Sequence, residues 1–182
     1  MKNVNINTHK GPSFSFANRL LRFLWSIVYN LLFRFTPRPF HFWRSFLLRL
    51  FGAKIGIGVH VYPKVKIWAP WNLSIGDFSG IANDVILYSQ DKIEIGSYAV
   101  ISQGSHLCTG THDYQKKGFP LYTRPIIISD NTWVAADVFI HPGVVIGEGC
   151  VIGARSVVSS SMPAWKVCAG YPCKPIKERV LK

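Results

Sequence analysis

Histidine, cysteine and carboxylate side chains carry most acid–base, nucleophilic and metal chemistry, and spacing sorts them quickly in this chain. Cys108, Cys150, Cys168 and Cys173 form no CxxC pair, which argues against a zinc or dithiol site. The start, Met1–Lys10, leads into no apolar h-region with a cleavage site, so no secretory leader is read there. Free thiols in a reducing cytoplasm are the expectation. His60, His106 and His141 sit inside a regular six-residue pattern, where a histidine is more often structural than catalytic. His112 stands apart. With Asp113 it opens a stretch, His112 to Ile127, that holds His, Asp, Lys, Gly, Pro, Tyr and Arg and keeps no period. A neutral imidazole, of unperturbed pKa about 6.5, is well suited to taking a proton near neutral pH.

The elements that must hold these residues show in the aliphatics. Past Phe51 a six-residue beat runs through Ile55, Val61 and Ile67, then Ile75, Ile81 and Leu87, then Ile95, Ile101 and Leu107. It resumes at Ile128, Val134, Ile140, Ile146, Ile152 and Val158. So short a repeat is the mark of a β-solenoid, three hexads making one coil with three flat sides. The early coils step by twenty residues, Ile55 to Ile75 to Ile95, so two extra residues sit at one corner; Ile128 to Ile146 is a clean eighteen. Each aliphatic points inward and stacks on its equivalents. The small or branched residue four places on, such as Ser79, Ala99, Thr111 or Thr132, belongs near a crowded corner. The beat breaks once, so residues 112–127 form a loop thrown out of a coil, a place where function tends to sit.

Before Phe51 the pattern is helical. Leu20, Leu24, Ile27, Val28, Leu31 and Phe35 share one face, and Arg19, Arg22, Ser26, Asn30 and Arg34 the opposite arc. Pro37 and Pro39 end that helix, and a second runs from about Phe40 to Phe51. The organisation is thus a basic, aromatic helical segment over 1–51, a solenoid domain over 52–163 and a proline-marked tail over 164–182. Charge is unevenly spread. Met1 to Gly76 holds eleven Lys or Arg and no acid, within a chain of net charge +12, which suits an anionic partner. Two amphipathic helices with a dozen aromatics suit an anionic membrane surface. The alternative is a cap over the open first coil, and both are compatible if apolar faces meet the cap and arginines point outward. The longest uncharged apolar run, Phe23 to Phe33, interrupted by its own polar residues, is far short of the ~20 residues a bilayer core requires.

Several stretches resemble the hexapeptide-repeat acetyltransferases: Ser102 to Asp113, Ile128 to Asp137, Pro142 to Gly147, and Ala169-Gly-Tyr-Pro-Cys-Lys174. Within that family the likeness is strongest to the colanic-acid-type exopolysaccharide O-acetyltransferases, where an aromatic basic start ending like Phe51-Gly-Ala-Lys-Ile-Gly56 also recurs. The resemblance, over residues 14 to 178, implies a mainly β fold, a left-handed parallel β-helix, assembled as a homotrimer with each active site between two prisms. It implies acetyl-CoA as co-substrate and His112 as the general base that takes the proton of a sugar hydroxyl, its ring fixed through a backbone carbonyl rather than through Asp113. Asn83 matches a position that helps hold the acceptor. Trp133 matches the tryptophan lining the acetyl end of the CoA channel. Ala136, Ala154 and Ser159 match small residues whose backbone meets the cofactor, and Lys174, with Lys177, would meet its phosphates.

The function so implied is O-acetylation of an exopolysaccharide or lipid-linked glycan intermediate, in the cytoplasm, with peripheral contact to an anionic membrane. The competing readings are acetylation of a small free sugar or xenobiotic, and a non-catalytic solenoid scaffold. A zinc carbonic anhydrase built on the same kind of fold is a weaker rival, since its three-histidine spacing differs from His106 to His112, and no metal is expected. No nucleic-acid reader motif interrupts the solenoid, so nucleic acid is not expected as a partner.

Overall fold

The hexads fold as strands of two or three residues joined by tight corners, and the corners explain the repeat. In this computed structural model, which describes residues 14–181, the first face stacks Lys54–Ile55, Leu73–Ile75, Ile93–Ile95, Ile126–Ile128 and Val145–Ile146 in parallel. The second stacks His60–Val61, Gly80–Ile81, Val100–Ile101, Trp133–Val134 and Val151–Ile152. The third stacks Lys66–Ile67, Ile86–Tyr88, His106–Cys108, Phe139–Ile140 and Val157–Val158. The register is the one the beat predicts: Ile55 lies beside Ile75, Ile75 beside Ile95, Ile95 beside Ile128 and Ile128 beside Ile146. Almost all of these aliphatics are buried, one continuous apolar column along the prism axis, the main favourable term in folding.

Corners would strand backbone groups, and side chains of the next coil satisfy them. Ile57 N–H donates to Asp77 Oδ1 at 2.8 Å, Asp77 N–H to Ser97 Oγ at 3.0 Å and Ser97 N–H to Asp130 Oδ1 at 2.8 Å. This ladder accounts for Asp77, Ser97 and Asp130, each the residue after an Ile-Gly or Ile-Ser pair. The same edge needs a left-handed residue in each coil, and Phe78 (φ 56°) and Tyr98 (φ 56°) supply it as readily as Gly58 (φ 65°). Stacking of the two rings, centroids 5.4 Å apart, helps offset the backbone strain.

The two extra residues of the early coils sit at the third-to-first edge. There Ala69, Ser89 and Thr109 form an additional buried column, tied by Ser89 Oγ to Ala69 at 3.0 Å and by Thr109 Oγ1 to the Tyr88 carbonyl at 2.8 Å. Thr111, placed by spacing among the corner residues, lies instead outside the prism, because this lengthened edge uses Thr109. The excursion leaves from the same edge. It forms a hairpin, Gly110–His112 antiparallel to Leu121–Thr123, and the chain is back in the first face at Ile126.

After the last hexad the chain keeps building sheet. Lys166–Gly170 adds to the second face beside Val151–Ile152, and Cys173–Glu178 folds back on it. Residues 164–181 are therefore mostly a hairpin that extends the solenoid. Cys150 and Cys168 meet there with Sγ atoms 3.7 Å apart, both buried. Burial, with Cys168 close by, pushes the Cys150 thiol up to about 12, so it behaves as an inert core group.

The N-terminal segment is α1 (Phe16–Val28), opened by Ser15 Oγ accepting from Asn18 N–H at 3.2 Å, then a π turn over Tyr29–Phe33 and α2 (His41–Leu50). It caps the first coil, but not with the expected face. Trp25, Phe33, Leu47 and Leu48 are buried against the solenoid, and the Trp25 indole N–H donates to the Ile67 carbonyl at 2.8 Å. Leu20, Leu24, Ile27, Leu31 and Phe35 face solvent. The docked side is the arc of Arg22, Trp25, Ser26 and Tyr29, where the Arg22 guanidinium lies 4.3 Å over the Trp68 ring. Residues 1–13 and 182, which include the start read as lacking a leader, lie outside the described residues. Among those described, no helix is long and apolar enough to cross a membrane.

Candidate active site

His112 ends the first strand of the hairpin, and its ring is exposed. Two contacts root the hairpin: Thr123 Oγ1 donates to Asp91 Oδ2 at 3.0 Å, and Arg124 N–H donates to the Thr109 carbonyl at 2.9 Å. Asp91 belongs to the lengthened edge one coil earlier. The His112 Nδ1 lies 2.6 Å from the Phe119 carbonyl oxygen. A carbonyl only accepts, so Nδ1 carries the hydrogen and Nε2 presents its lone pair outward, the tautomer a general base needs. Asp113 is occupied elsewhere, accepting from Gln115 N–H at 3.1 Å and pairing with Lys116 at 3.2 Å. A recess of about 550 Å³ opens beside the imidazole, lined in part by Tyr114, Lys116, Tyr122 and Arg124.

The other histidines among the described residues pack. His60 stacks on His41 with centroids 4.5 Å apart, His106 meets the edge of Phe139 at 5.0 Å, and His141 meets the same ring at 5.1 Å. Burial lowers the His106 pKa, and its Nε2 is buried without a partner. Among the described residues no group of three His, Cys, Asp or Glu is placed to hold a metal ion.

The remaining candidates, Ser159 apart, lie on other sides of the prism. Trp133 points out of the second face, 48% exposed, with its indole N–H on Ser102 Oγ at 3.0 Å. Asn83, Ala136 and Ala154 follow the second, fourth and fifth strands of the second face and share the second-to-third edge. Asn83 serves its edge structurally, its Oδ1 accepting from Lys64 N–H at 3.2 Å, which leaves the amide Nδ2 without a partner among the described residues. The Ala136 carbonyl accepts from Arg155 N–H at 2.8 Å, which ties successive coils together at this edge. Ser159 follows the last strand of the third face, and Lys174 is exposed on the terminal hairpin beyond the second face. In a three-sided prism the third-to-first edge stands opposite the second face. Within one chain Asn83, Trp133, Ala136 and Ala154 thus lie along the second face and its edge with the third, whereas the His112 hairpin is rooted at the opposite edge.

Two contributors escape sequence reading. Phe119 acts through its carbonyl, which every residue owns. Asp91 had one faint signal, its place in a corner lengthened by two residues.

Residues 125–160 match the family model for the bacterial transferase hexapeptide, six repeats. A protein of Escherichia coli (strain K12) that carries the provisional name of a colanic acid biosynthesis acetyltransferase is 50% identical over 157 residues, 86% of each chain. The galactoside O-acetyltransferase of the same organism is 34% identical over 128 residues, 70% of this chain and 56% of that one. Among solved structures, a maltose O-acetyltransferase from Clostridium difficile 630 superposes with a TM-score of 0.83 at 29% identity, covering 92% of this chain and 90% of the other. A galactoside acetyltransferase in complex with coenzyme A gives 0.85 at 26%, covering 93% and 86%. With its parallel β-helix, its repeat and these relatives, the chain belongs to the hexapeptide-repeat acetyltransferases, enzymes that draw the acetyl group from acetyl-CoA.

Proposed function

We propose that this enzyme acetylates a hydroxyl of a sugar in an exopolysaccharide or its lipid-linked precursor, working in the cytoplasm at the inner face of the membrane. The observation that carries the chemistry is the His112 imidazole, locked by the Phe119 carbonyl with Nε2 free. Nε2 takes the hydroxyl proton as the oxygen attacks the acetyl carbonyl. The O–C bond forms, the C–S bond breaks, and the proton passes to the departing thiolate. Small residues at Ala136 and Ala154 fit the pantetheine arm against the backbone, and the Ala136 N–H faces the developing oxyanion. Trp133 walls the acetyl end, Ser159 borders the track, Lys174 meets the phosphates and the Asn83 Nδ2 holds the acceptor. The kind of sugar follows the 50% identical colanic acid relative. Incubating the pure protein with acetyl-CoA and a panel of free and lipid-linked oligosaccharides tests it. Acetyl ester on polysaccharide repeat units is the expected product; transfer only to free monosaccharides would replace this reading with the small-sugar one.

We also propose a homotrimer with shared sites. The His112 edge and the Trp133 side are different surfaces, so joining them is a head-to-tail contact, and such a contact closes into a ring of three when each step turns by a third of a revolution. Three identical prisms then give three sites, each with one chain's hairpin over the next chain's second face. Mixing settles this in solution. His112→Ala and Ala136→Trp are each expected to be inactive. Co-assembled in equal amounts, they should regain about a quarter of the native activity, since random order leaves that share of head-to-tail sites intact. No recovery in verified mixed trimers would mean that each site lies within one chain.

A further inference from the structure

The outward face of α1 and the turn after it is unlike the rest of the surface. Phe16, Phe23, Leu31 and Phe35 are 75%, 63%, 70% and 76% exposed, and Leu20, Leu24 and Ile27 fill the spaces between them at helical spacing. Across the helix, Trp25 is 3% exposed and Phe33 0%. Capping the solenoid therefore occupies the inner side alone and leaves the apolar stripe uncovered. A stripe of this length is far more than scattered surface leucines and marks an interaction site.

We propose that this stripe is a lipid-docking face, which lays α1 flat in the headgroup region of an anionic membrane. The placement of charge selects that occupant. Arg19, Arg34, Arg38 and Arg49 are exposed on the same segment, and the sequence holds no acid before Asp77. A second copy of the chain seated on this stripe would bring one acid-free basic segment against another. Anionic headgroups complement it, while the leucines and phenylalanines take up the acyl boundary. The Arg34 guanidinium, 4.9 Å over the Phe35 ring, pairs a cation with an aromatic as an interfacial anchor does. The inference deepens the membrane-edge setting proposed above by naming the surface that makes the contact, and it needs no assumption about which sugar is acetylated.

Co-sedimentation with phosphatidylcholine vesicles, with and without phosphatidylglycerol, tests it on the full-length protein. Binding is expected with phosphatidylglycerol, weakened by high salt. Phe23→Ser/Leu31→Ser/Phe35→Ser should abolish it, and Arg19→Gln/Arg34→Gln should weaken it about tenfold or more. All five side chains point away from the core, so both variants should keep native acetyl transfer to a water-soluble acceptor. Equal recovery in the supernatant with and without vesicles would overturn the proposal. So would a fall in oligomer size by light scattering in the triple variant, which would make the stripe a contact between copies. Loss of acetyl transfer to every acceptor with vesicle binding retained would overturn the assigned reaction and leave the docking face standing.

Discussion

Replacing His112 by alanine lowers kcat by about 10²–10⁴, the range expected when a positioned general base is removed, and leaves the thermal midpoint unchanged. The two halves of that expectation have separate causes. Activity should fall because, in the proposed mechanism, Nε2 is the acceptor for the hydroxyl proton, and the neighbouring Asp113 is turned to Lys116 and Gln115. Stability holds because the ring is exposed and lies outside the aliphatic column. His112→Gln is the finer version, since it keeps a side chain able to reach the Phe119 carbonyl but offers no base. Initial-rate kinetics with acetyl-CoA, alongside circular dichroism melts, read both halves. A variant with near-native kcat would remove His112 from the mechanism.

Arg44→Met should destabilise the protein by on the order of 3–5 kcal/mol, a large loss for a surface-capping element. Arg44 is fully buried, and no acid neutralises it. Its guanidinium instead gathers the turn between the helices. Nε donates to the Val61 carbonyl at 2.7 Å, Nη1 to Thr36 Oγ1 at 2.7 Å and to the Pro37 carbonyl at 2.9 Å, and Nη2 to the Arg38 carbonyl at 2.5 Å. One planar group thus ties α2 both to the first coil and to the chain leaving α1. Methionine fills much of the volume but strands those carbonyls away from water. Lysine keeps the charge yet cannot reproduce the fork, so Arg44→Lys should recover little. Urea denaturation measures both, and an Arg44→Met midpoint implying a loss under ~1 kcal/mol would show that water or rearrangement satisfies the turn.

The solenoid was legible because inward stacking imposes its period on the sequence. The beat alone pairs Ile55, Ile75, Ile95, Ile128 and Ile146 as they lie in the first face. The position of the lengthened edge was not, since two extra residues fit equally well at any of three corners, and Thr111 was misplaced for that reason. Hydrophobic periodicity also showed that α1 has two unlike faces without saying which one docks. Trp25 decides it: one large indole whose N–H needs an acceptor outweighs the four aliphatics Leu20, Leu24, Ile27 and Leu31. The terminal hairpin was read as a tail because its strands follow no six-residue beat. His112 stood out at the one break in the pattern, whereas the groove proposed between chains would be a property of the assembly and leaves no mark in one sequence.

The hairpin leaves and rejoins the prism at one edge without disturbing the coils on either side. Ile95 still pairs with Ile128, although the step is fifteen residues longer than the one from Ile128 to Ile146. The scaffold therefore bears no record of what the insertion does. Lineages could lengthen, trade or discard this segment while keeping a fully stable prism, so chemistry and architecture can evolve on separate clocks. In such a lineage the hexad beat is a poor guide to activity, and a descendant that lost the insertion would remain a sound, inert rod.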